Sequence, residues 1–140
     1  MNNGYSVYWG ADNTAQVSAP ADLDAVLDQV AAQGRHIVDV VPDDNDDLGL
    51  QIGVGHPDRA VLLVFGVGGG YAYDARLAPW PEPIDYDQGG QVTTYVPAQT
   101  KLTPAKARHA AHHYLLTGTP PADLQLDAGD DRSAARPVLD

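Results

Sequence analysis

Residues 48–76 constrain the fold more than any other part of the chain, because they read as three consecutive antiparallel strands. Apolar residues alternate with glycine or glutamine over residues 48–55, which is the period-two pattern of a strand with one buried face. Residues 60–65 are apolar at every position, as in a central strand covered on both sides. Residues 71–76 alternate again after a glycine-rich turn, so the sequence predicts a meander.

The glycine-rich turn at residues 66–70 lacks the context of a phosphate-binding loop. A P-loop requires a lysine followed by serine or threonine at the start of a helix, and a dinucleotide-binding loop also requires a helix after its glycines. Here Tyr71 begins a strand pattern instead. The sequence therefore favours a hairpin turn over a nucleotide site.

Two stretches have the signals of amphipathic helices. The first runs from a candidate N-cap at Ser18 to Gly34, with apolar residues at helical spacing between them. The second has Thr103 as its candidate N-cap, Pro104 in its first turn and Gly118 as its end. Further strand patterns lie at residues 5–9, 15–17, 35–41, 91–96 and 124–126.

The length and the composition predict a single domain. The 140 residues suit one hydrophobic core and leave no room for two. We expect the domain to span residues 1–127. Residues 128–140 are small, charged and aperiodic, which predicts a disordered tail.

The net charge of −11 is unevenly distributed along the chain. Residues 1–87 hold three basic and fourteen acidic side chains, whereas residues 88–140 hold five of each. A chain this acidic lacks the cations that neutralise phosphates, so we expect no nucleic-acid partner. It is suited to attract a basic protein, because its long-range field would speed the encounter. The alternative is that the acidity only keeps the protein in solution.

Cysteine usage and hydropathy exclude several further classes. The sequence has no cysteine, so disulfides, thiolate metal sites and cysteine nucleophiles are absent. No apolar stretch approaches the length of a membrane span, and the first residues lack a signal-peptide pattern. We therefore expect a cytoplasmic protein without membrane contact.

The acidic run at residues 43–47 has part of the pattern of a calcium loop. Asp43, Asn45 and Asp47 alternate as in an EF-hand, but Leu48 stands where the loop needs glycine and Val54 where it needs a bidentate glutamate. The flanking residues also read as strands rather than helices. A solvated hairpin turn is the better prediction.

The second helix carries a histidine pair that resembles half of a metal site. His109 and His113 are four residues apart, but Ala110 stands where a zincin has its glutamate, and no third ligand is evident. We expect its polar side chains, among them His112 and Arg108, on the solvent face. There is no nucleophile elbow and no carboxylate pair in an apolar setting. The sequence therefore predicts no catalytic residue, no metal and no cofactor.

A proline-rich connection predicted over residues 77–90 is the main candidate for binding a partner. Long structured loops in small domains are often functional, and prolines would preorganise this one. Trp80 and Tyr86 lie among carboxylates, as in an interface anchor with an acidic rim; alternatively, Trp80 packs onto the sheet as core. With the acidic turn and the neighbouring tyrosines, the predicted partner-binding residues are Asp43, Asp44, Asp46, Asp47, Tyr71, Tyr73, Trp80, Glu82, Asp85, Tyr86 and Asp87.

Two motifs around the second helix form a family signature. Residues 102–108 read Leu-Thr-Pro-Ala-Lys-Ala-Arg, and residues 113–121 read His-Tyr-Leu-Leu-Thr-Gly-Thr-Pro-Pro. They resemble the C-terminal part of the bacterial immunity proteins called Imm family one, as residues 21–27 resemble its first helix and residues 50–55 its central hairpins. The resemblance covers most of residues 5–127 and depends on the order and spacing of these motifs.

The resemblance implies a function in conflict between bacteria. Members of the family are antitoxins that bind polymorphic toxins, notably nucleic-acid deaminases, and block their active sites without catalysis or a cofactor. The implied partner is a cognate toxin domain that is basic enough to hold nucleic acid. The expected fold is α+β, a mostly antiparallel sheet of five or six strands with two helices packed on one face.

A module of another class remains as the alternative: a non-catalytic structural or regulatory protein that binds another partner or itself. The apolar strand at residues 60–65 needs cover on both faces. If the helices cover only one face, a homodimer would supply the other.

Overall fold

The structure, a computed structural model, describes residues 4–44, 49–65, 69–117, 121 and 124–127. Its helices and strands follow one another in a β-rich order. The elements are β1 (Tyr5–Trp9), β2 (Asn13–Val17), α1 (Pro20–Ala31), β3 (His36–Pro42), β4 (Leu50–Val54), β5 (Val61–Val64), β6 (Gly70–Tyr73), β7 (Ile84–Gln88), β8 (Gln91–Tyr95), a 3-10 turn (Pro97–Gln99), α2 (Pro104–Thr117) and β9 (Gln125–Asp127).

The described strands form one sheet in the order β2-β1-β3-β4-β5-β6-β9, with antiparallel neighbours throughout. The meander predicted from residues 48–76 is confirmed as β4, β5 and β6. The α+β class with two helices is confirmed as well. The predicted number of five or six strands is too low, because nine strands join the sheet when the β7–β8 hairpin is included.

Both helices pack on one face of the sheet, as predicted. Leu23, Leu27 and Val30 of α1 and the small apolar face of α2 share one core with the strands, and all three α1 side chains are fully buried. Full burial of an aliphatic side chain contributes about 1.5–3 kcal/mol. Burial of these side chains in the shared core therefore holds the helices against the sheet.

Charged side chains of α2 join it to α1, which corrects the expectation that they face solvent. The Arg108 guanidinium lies 3.2 Å from the Asp24 carboxylate and 2.8 Å from that of Asp28. His112 Nε2 lies 2.9 Å from the same Asp24 oxygen. Lys106 instead reaches Asp74 at 3.1 Å. Lys106, Arg108 and His112 thus help to fix the position of α2.

The second face of the sheet is partly covered by the β7–β8 hairpin. Ile84, Tyr86 and Tyr95 from the hairpin form a second core with Ile37 of β3 and Val61 of β5. The hairpin joins the sheet beside β3, where Asp87 N–H donates to Arg35 O at 2.9 Å. The chain itself therefore covers Val61 of the apolar run, whereas Leu63 is half-buried and Phe65 is exposed, so a homodimer that covers the rest of this face stays a prediction.

The hairpin corrects the prediction of one long connection over residues 77–90. Its second half is strand β7, and Gly89 and Gly90 make the two-residue turn to β8, with φ of 65° and 93°. Positive φ at both central positions is the geometry of the tight hairpin turn that matches strand twist, and glycine adopts it without strain. Only the proline-rich part before Ile84 remains a connection.

The predicted N-cap is confirmed for α2 and is wrong for α1. Thr103 Oγ1 accepts a hydrogen bond from Lys106 N–H at 3.2 Å, as predicted for the N-cap of α2. Ser18 is not the N-cap of α1, because Ala19 occupies that position and makes no side-chain cap. The Asp22 carboxylate reaches back to Ser18 N–H at 3.3 Å instead. The expectations for residues 128–140, and for Asp46 and Asp47, lie outside the described residues.

Candidate interaction surface

A continuous row of side chains crosses the sheet face that lies opposite the helices. Directly paired residues of adjacent strands point to the same face. The register pairs Tyr8 with Asp39, Asp39 with Gln51, Gln51 with Leu63, and Leu63 with Tyr71. Neighbouring strands lie about 4.8 Å apart, so this row extends for about 19 Å from β1 to β6.

We call this surface the open face: the five residues of the row together with Val41 and Phe65. Val41 lies two residues beyond Asp39 on β3 and therefore points the same way. Phe65 continues the alternation of β5, since its N–H still donates to Gly49 O at 2.9 Å. Tyr8 is 45% exposed and Phe65 is 39% exposed, and the other members are half-buried. The open face is thus an aromatic and aliphatic surface that the hairpin leaves accessible.

The hairpin forms one border of the open face through Tyr95. Its ring makes edge contacts with Tyr71 at 6.4 Å and with Tyr86 at 5.7 Å between centroids. Burial raises the pKa of all three phenols, that of Tyr86 to about 12. These aromatic rings therefore remain neutral and make the border rigid and apolar.

Asp39 lies within the row, between Tyr8 and Gln51, and is half-buried. Burial raises the pKa of this carboxyl, and a hydrogen bond from the Gln51 side chain partly offsets the shift. The negative charge of Asp39 also contributes to raising the pKa of the Tyr95 phenol, so the two groups are close. No lysine, arginine or histidine in the described part of the chain forms an ion pair with Asp39.

The β3–β4 turn forms the other border and is acidic. Asp43 and Asp44 are exposed. Ser6 Oγ donates to Asp43 Oδ1 at 2.6 Å, and Gln16 Nε2 donates to Asp43 Oδ2. Ser6 and Gln16 are paired on β1 and β2, so the carboxylate is fixed at the edge of the open face.

The structure distributes the predicted residues of the proline-rich segment among different environments. Trp80 is half-buried, with the Arg59 guanidinium 5.1 Å from its ring centroid and the His56 ring packed edge-on at 5.1 Å. Glu82 and Asp85 are exposed. Asp85 accepts a hydrogen bond from Thr94 at 2.6 Å on the outer side of the hairpin, the side that Asp87 shares.

Tyr86 is a correction to the predicted partner-binding residues. It is 1% exposed, and its hydroxyl donates to Arg59 O at 3.4 Å inside the second core. The alternation along β7 places it toward the sheet, between the outward-facing Asp85 and Asp87. A partner cannot contact Tyr86 while the hairpin stays in place.

Two predicted acidic segments do not meet. Asp87 pairs with His36 at one end of β3, and Asp43 follows the other end. Seven residues of extended chain at about 3.4 Å each separate them by about 24 Å. The open face lies between them. Of the predicted tyrosines, Tyr71 is in its row, and Tyr73 lies two residues along β6, with Lys101 Nζ 5.8 Å from its ring centroid.

Sequence reasoning missed most of the open face, although one signal was present. Asp39 interrupts the otherwise apolar run of residues 37–41, and aspartate is depleted in strands. A charged residue in the middle of a strand therefore indicates that its side chain has a polar or binding role. Tyr8, Gln51, Leu63 and Phe65 carry no comparable signal, because only the strand register brings them together.

The described residues contain no group of three or more histidine or acidic side chains with the geometry to hold a metal ion. A cleft of about 220 Å³ between the helices and the β4–β5 turn is lined by His56, Arg59 and Arg108 among apolar residues. Both guanidiniums are engaged: Arg59 donates to Ala78 O and Thr100 O, and Arg108 pairs with α1 carboxylates.

Neither helix of the described residues has the length and apolarity needed to cross a membrane. No curated protein and no solved structure shows significant similarity to the chain. A family model described as Immunity protein Imm1 does match, and it covers residues 11–128. That match includes both helices and all strands except β1. The chain therefore belongs to the Imm1 family of immunity proteins.

Proposed function

We propose that this protein neutralises a cognate bacterial toxin by binding its catalytic domain across the open face and blocking access to its active site. Membership of the Imm1 family supports the toxin partner. The observation that carries the choice of surface is the row of side chains from Tyr8 to Tyr71, which the hairpin borders and which contains the Asp39 carboxylate without an ion-pair partner among the described residues. Exposed apolar patches with polar rims are typical of protein-binding sites.

Charge complementarity favours a basic toxin domain that acts on nucleic acid, and we propose a deaminase. Such a domain needs a cationic surface to hold its substrate. The strands of the open face come from the half of the sequence that holds fourteen acidic and three basic side chains. A partner that covers this face would therefore meet carboxylates where it normally meets phosphates.

The same charges disfavour self-association through the open face. In an isologous dimer each patch faces its own copy. Asp39 and Asp43 of one chain would then approach the same carboxylates of the other, which is unfavourable without cations between them. A basic protein of different sequence complements the negative charge of this surface better than a second copy of the chain does.

The predicted acidic residues form the proposed rim of this interface. Asp43 borders the open face through its contacts with Ser6 and Gln16, and we propose that the charges of Asp44, Asp46 and Asp47 contribute to the same rim. Asp85 and Asp87 offer a second acidic surface on the outer side of the hairpin, and we propose that Glu82, Trp80 and Tyr73 add to the partner-binding surface. Rim charges contribute more to the association rate than to the affinity.

Immunity proteins of this kind generally act by binding, and we propose that this chain likewise has no catalytic activity. Its role requires stoichiometric occupation of the toxin rather than turnover. Protection should therefore follow the molar ratio of the two proteins. A purified toxin domain should lose its activity on a single-stranded oligonucleotide once an equal amount of this protein is present.

Arginine substitutions at three exposed apolar positions test the surface. The same charge is introduced on the open face with Phe65→Arg, on the outer side of the hairpin with Val92→Arg, and on the helix layer with Leu116→Arg; these side chains are 39%, 72% and 70% exposed. The probe is the toxin domain encoded by the neighbouring gene, with growth on co-expression and the dissociation constant as readouts. We expect Phe65→Arg to weaken binding by at least about tenfold, because it brings a cation against a basic partner.

Leu116→Arg is the matched control and should protect and bind like the wild type. Val92→Arg measures what the hairpin surface contributes. Wild-type affinity in Phe65→Arg, with a loss in Val92→Arg, would move the interface to the hairpin. Cells that grow equally well with the toxin in the absence of this protein would contradict the immunity function itself.

A further inference from the structure

We infer that the Asp39 carboxylate is the acceptor for an arginine side chain of the bound toxin, within the proposed interface. The inference rests on the proposed function and adds the chemistry of its central contact. It follows from the position of Asp39 in the row, its burial, the absence of a cation beside it and the groups that surround it.

Asp39 has a neighbour in the row on each side and therefore does not lie at the edge of the open face. Asp39 lies inside the row, with Tyr8 of β1 on one side and the residues of β4, β5 and β6 on the other. Residues that dominate binding tend to lie near the middle of an interface, where the surrounding contacts exclude water. The acidic side chains of the rim, such as Asp43, lie at the border and stay hydrated.

Burial without a counter-ion is the second argument. A half-buried carboxylate loses hydration, and among the described residues Asp39 accepts a side-chain hydrogen bond from the neutral Gln51 amide. The described cations are not within ion-pair distance of it. An ionised group in this state gains more from an incoming cation than a solvated one does, because the remaining desolvation cost is smaller.

The neighbouring groups favour arginine over lysine. The Tyr8 side chain is paired beside Asp39 on β1, and the Tyr71 ring at the other end of the row packs edge-on against Tyr95 of the hairpin. A planar guanidinium stacks on aromatic faces while its fork of donors reaches a carboxylate and a second acceptor. The Gln51 amide oxygen, next to Asp39 in the row, is suited to be that second acceptor.

The fold has no evident need of this carboxylate. Asp39 interrupts a strand whose neighbouring residues are Val38 and Val40, both fully buried on the helix side. Its own side chain points to the open face, where a neutral polar residue would satisfy Gln51 equally well. A group that costs stability in the free protein and lies at a binding surface is characteristic of a functional position.

The test compares Asp39→Asn with the wild type against the purified toxin domain, with Asp43→Asn as the matched rim control. We expect Asp39→Asn to bind at least about 30-fold more weakly, mainly through faster dissociation, because the toxin cation would remain buried without its partner. Asp43→Asn should change the affinity by less than about fivefold. The melting temperature of Asp39→Asn should equal or exceed that of the wild type.

A double-mutant cycle then identifies the partner. Each surface arginine of the toxin domain is replaced by glutamine and measured against both wild type and Asp39→Asn; one of them should show a loss that is not additive with that of Asp39→Asn. Asp39→Thr, which suits a strand, provides a second variant if Asp39→Asn folds poorly. Binding of these variants within about fivefold of wild type, or additive losses for every arginine, would overturn the inference while leaving the immunity function intact. A wild-type protein that does not bind the toxin would overturn both.

Discussion

Gly53 shows how a single position determines where the hairpin can lie. A Cβ atom built on Gly53 would stand 2.9 Å from Tyr86 Cε2 and 3.2 Å from Ile37 Cδ1. Both contacts are shorter than normal van der Waals separations, and both partners are buried in the second core. The Tyr86 ring therefore packs directly on the backbone of β4, and the absence of a side chain at Gly53 permits this approach.

Gly53→Ala should therefore lower the free energy of unfolding by about 1–3 kcal/mol, the usual cost of overpacking a core. Urea denaturation followed by circular dichroism measures this change. Combining Gly53→Ala with Tyr86→Leu should cost less than the sum of the two single changes, because the leucine side chain removes the ring atoms that clash. Unchanged or increased stability of Gly53→Ala would show that the hairpin does not lie against β4.

Residue-level prediction from the sequence succeeded where a local rule was sufficient. The Thr103 cap depends on the three residues that follow it, so it was readable from the sequence. Tyr86 was placed at the surface because its neighbours in sequence are carboxylates. The side to which a strand residue points depends on which strand it pairs with, and composition contains no information about that register.

At the scale of elements, a cluster around Arg59 holds the proline-rich connection onto the β4–β5 turn. Arg59 is 8% exposed, and its Nη1 donates to Ala78 O at 2.7 Å and to Thr100 O at 3.2 Å. Trp80 packs over the guanidinium. His56 supports the turn itself, because its Nδ1 accepts hydrogen bonds from the N–H groups of Asp58 and Arg59, both at 3.1 Å.

The acceptor role of His56 predicts a pH-dependent loss of stability. Burial lowers the pKa of His56 below its ordinary value of 6.5, and the Arg35 charge lowers it further. The unfolded chain therefore binds more protons as pH falls, so the contribution of His56 is complete above about pH 6.5 and is lost as pH falls through the folded-state pKa. We expect the urea midpoint of the wild type to decrease between about pH 7 and pH 5 more than that of His56→Asn, which keeps an acceptor but does not titrate. Parallel curves for the two proteins would contradict this role.

The elements themselves were predicted unevenly, for physical reasons. Helix α2 was readable because a cap, a first-turn proline and helical spacing coincide within one segment. Strand β7 was missed because the prolines before it suggested one long loop. The signal for it was the Gly89-Gly90 pair between two alternating stretches, which predicts a two-residue hairpin. The position of this hairpin across the sheet could not be predicted, since it depends on contacts with strands distant in sequence.

At the scale of the whole molecule, the two faces of the sheet have different charges and different tasks. The helix layer contains the cations Lys106 and Arg108, which are paired with Asp74 and with the α1 carboxylates. The open face contains Asp39 and borders Asp43, neither of which has a cationic partner among the described residues. The side where we propose that the toxin binds is therefore negatively charged.

This separation predicts that salt and substitution affect different steps of toxin binding. Raising the NaCl concentration from about 50 mM to about 500 mM shortens the Debye length from about 14 Å to about 4 Å and screens long-range attraction. We expect the association rate of the wild type to fall by at least about tenfold, with little change in the dissociation rate. Asp43→Asn/Asp44→Asn should reduce both the association rate at low salt and its salt dependence, whereas Asp39→Asn should act mainly on dissociation. Stopped-flow measurements separate the two rates, and an association rate that is independent of salt in the wild type would rule out electrostatic steering by the acidic surface.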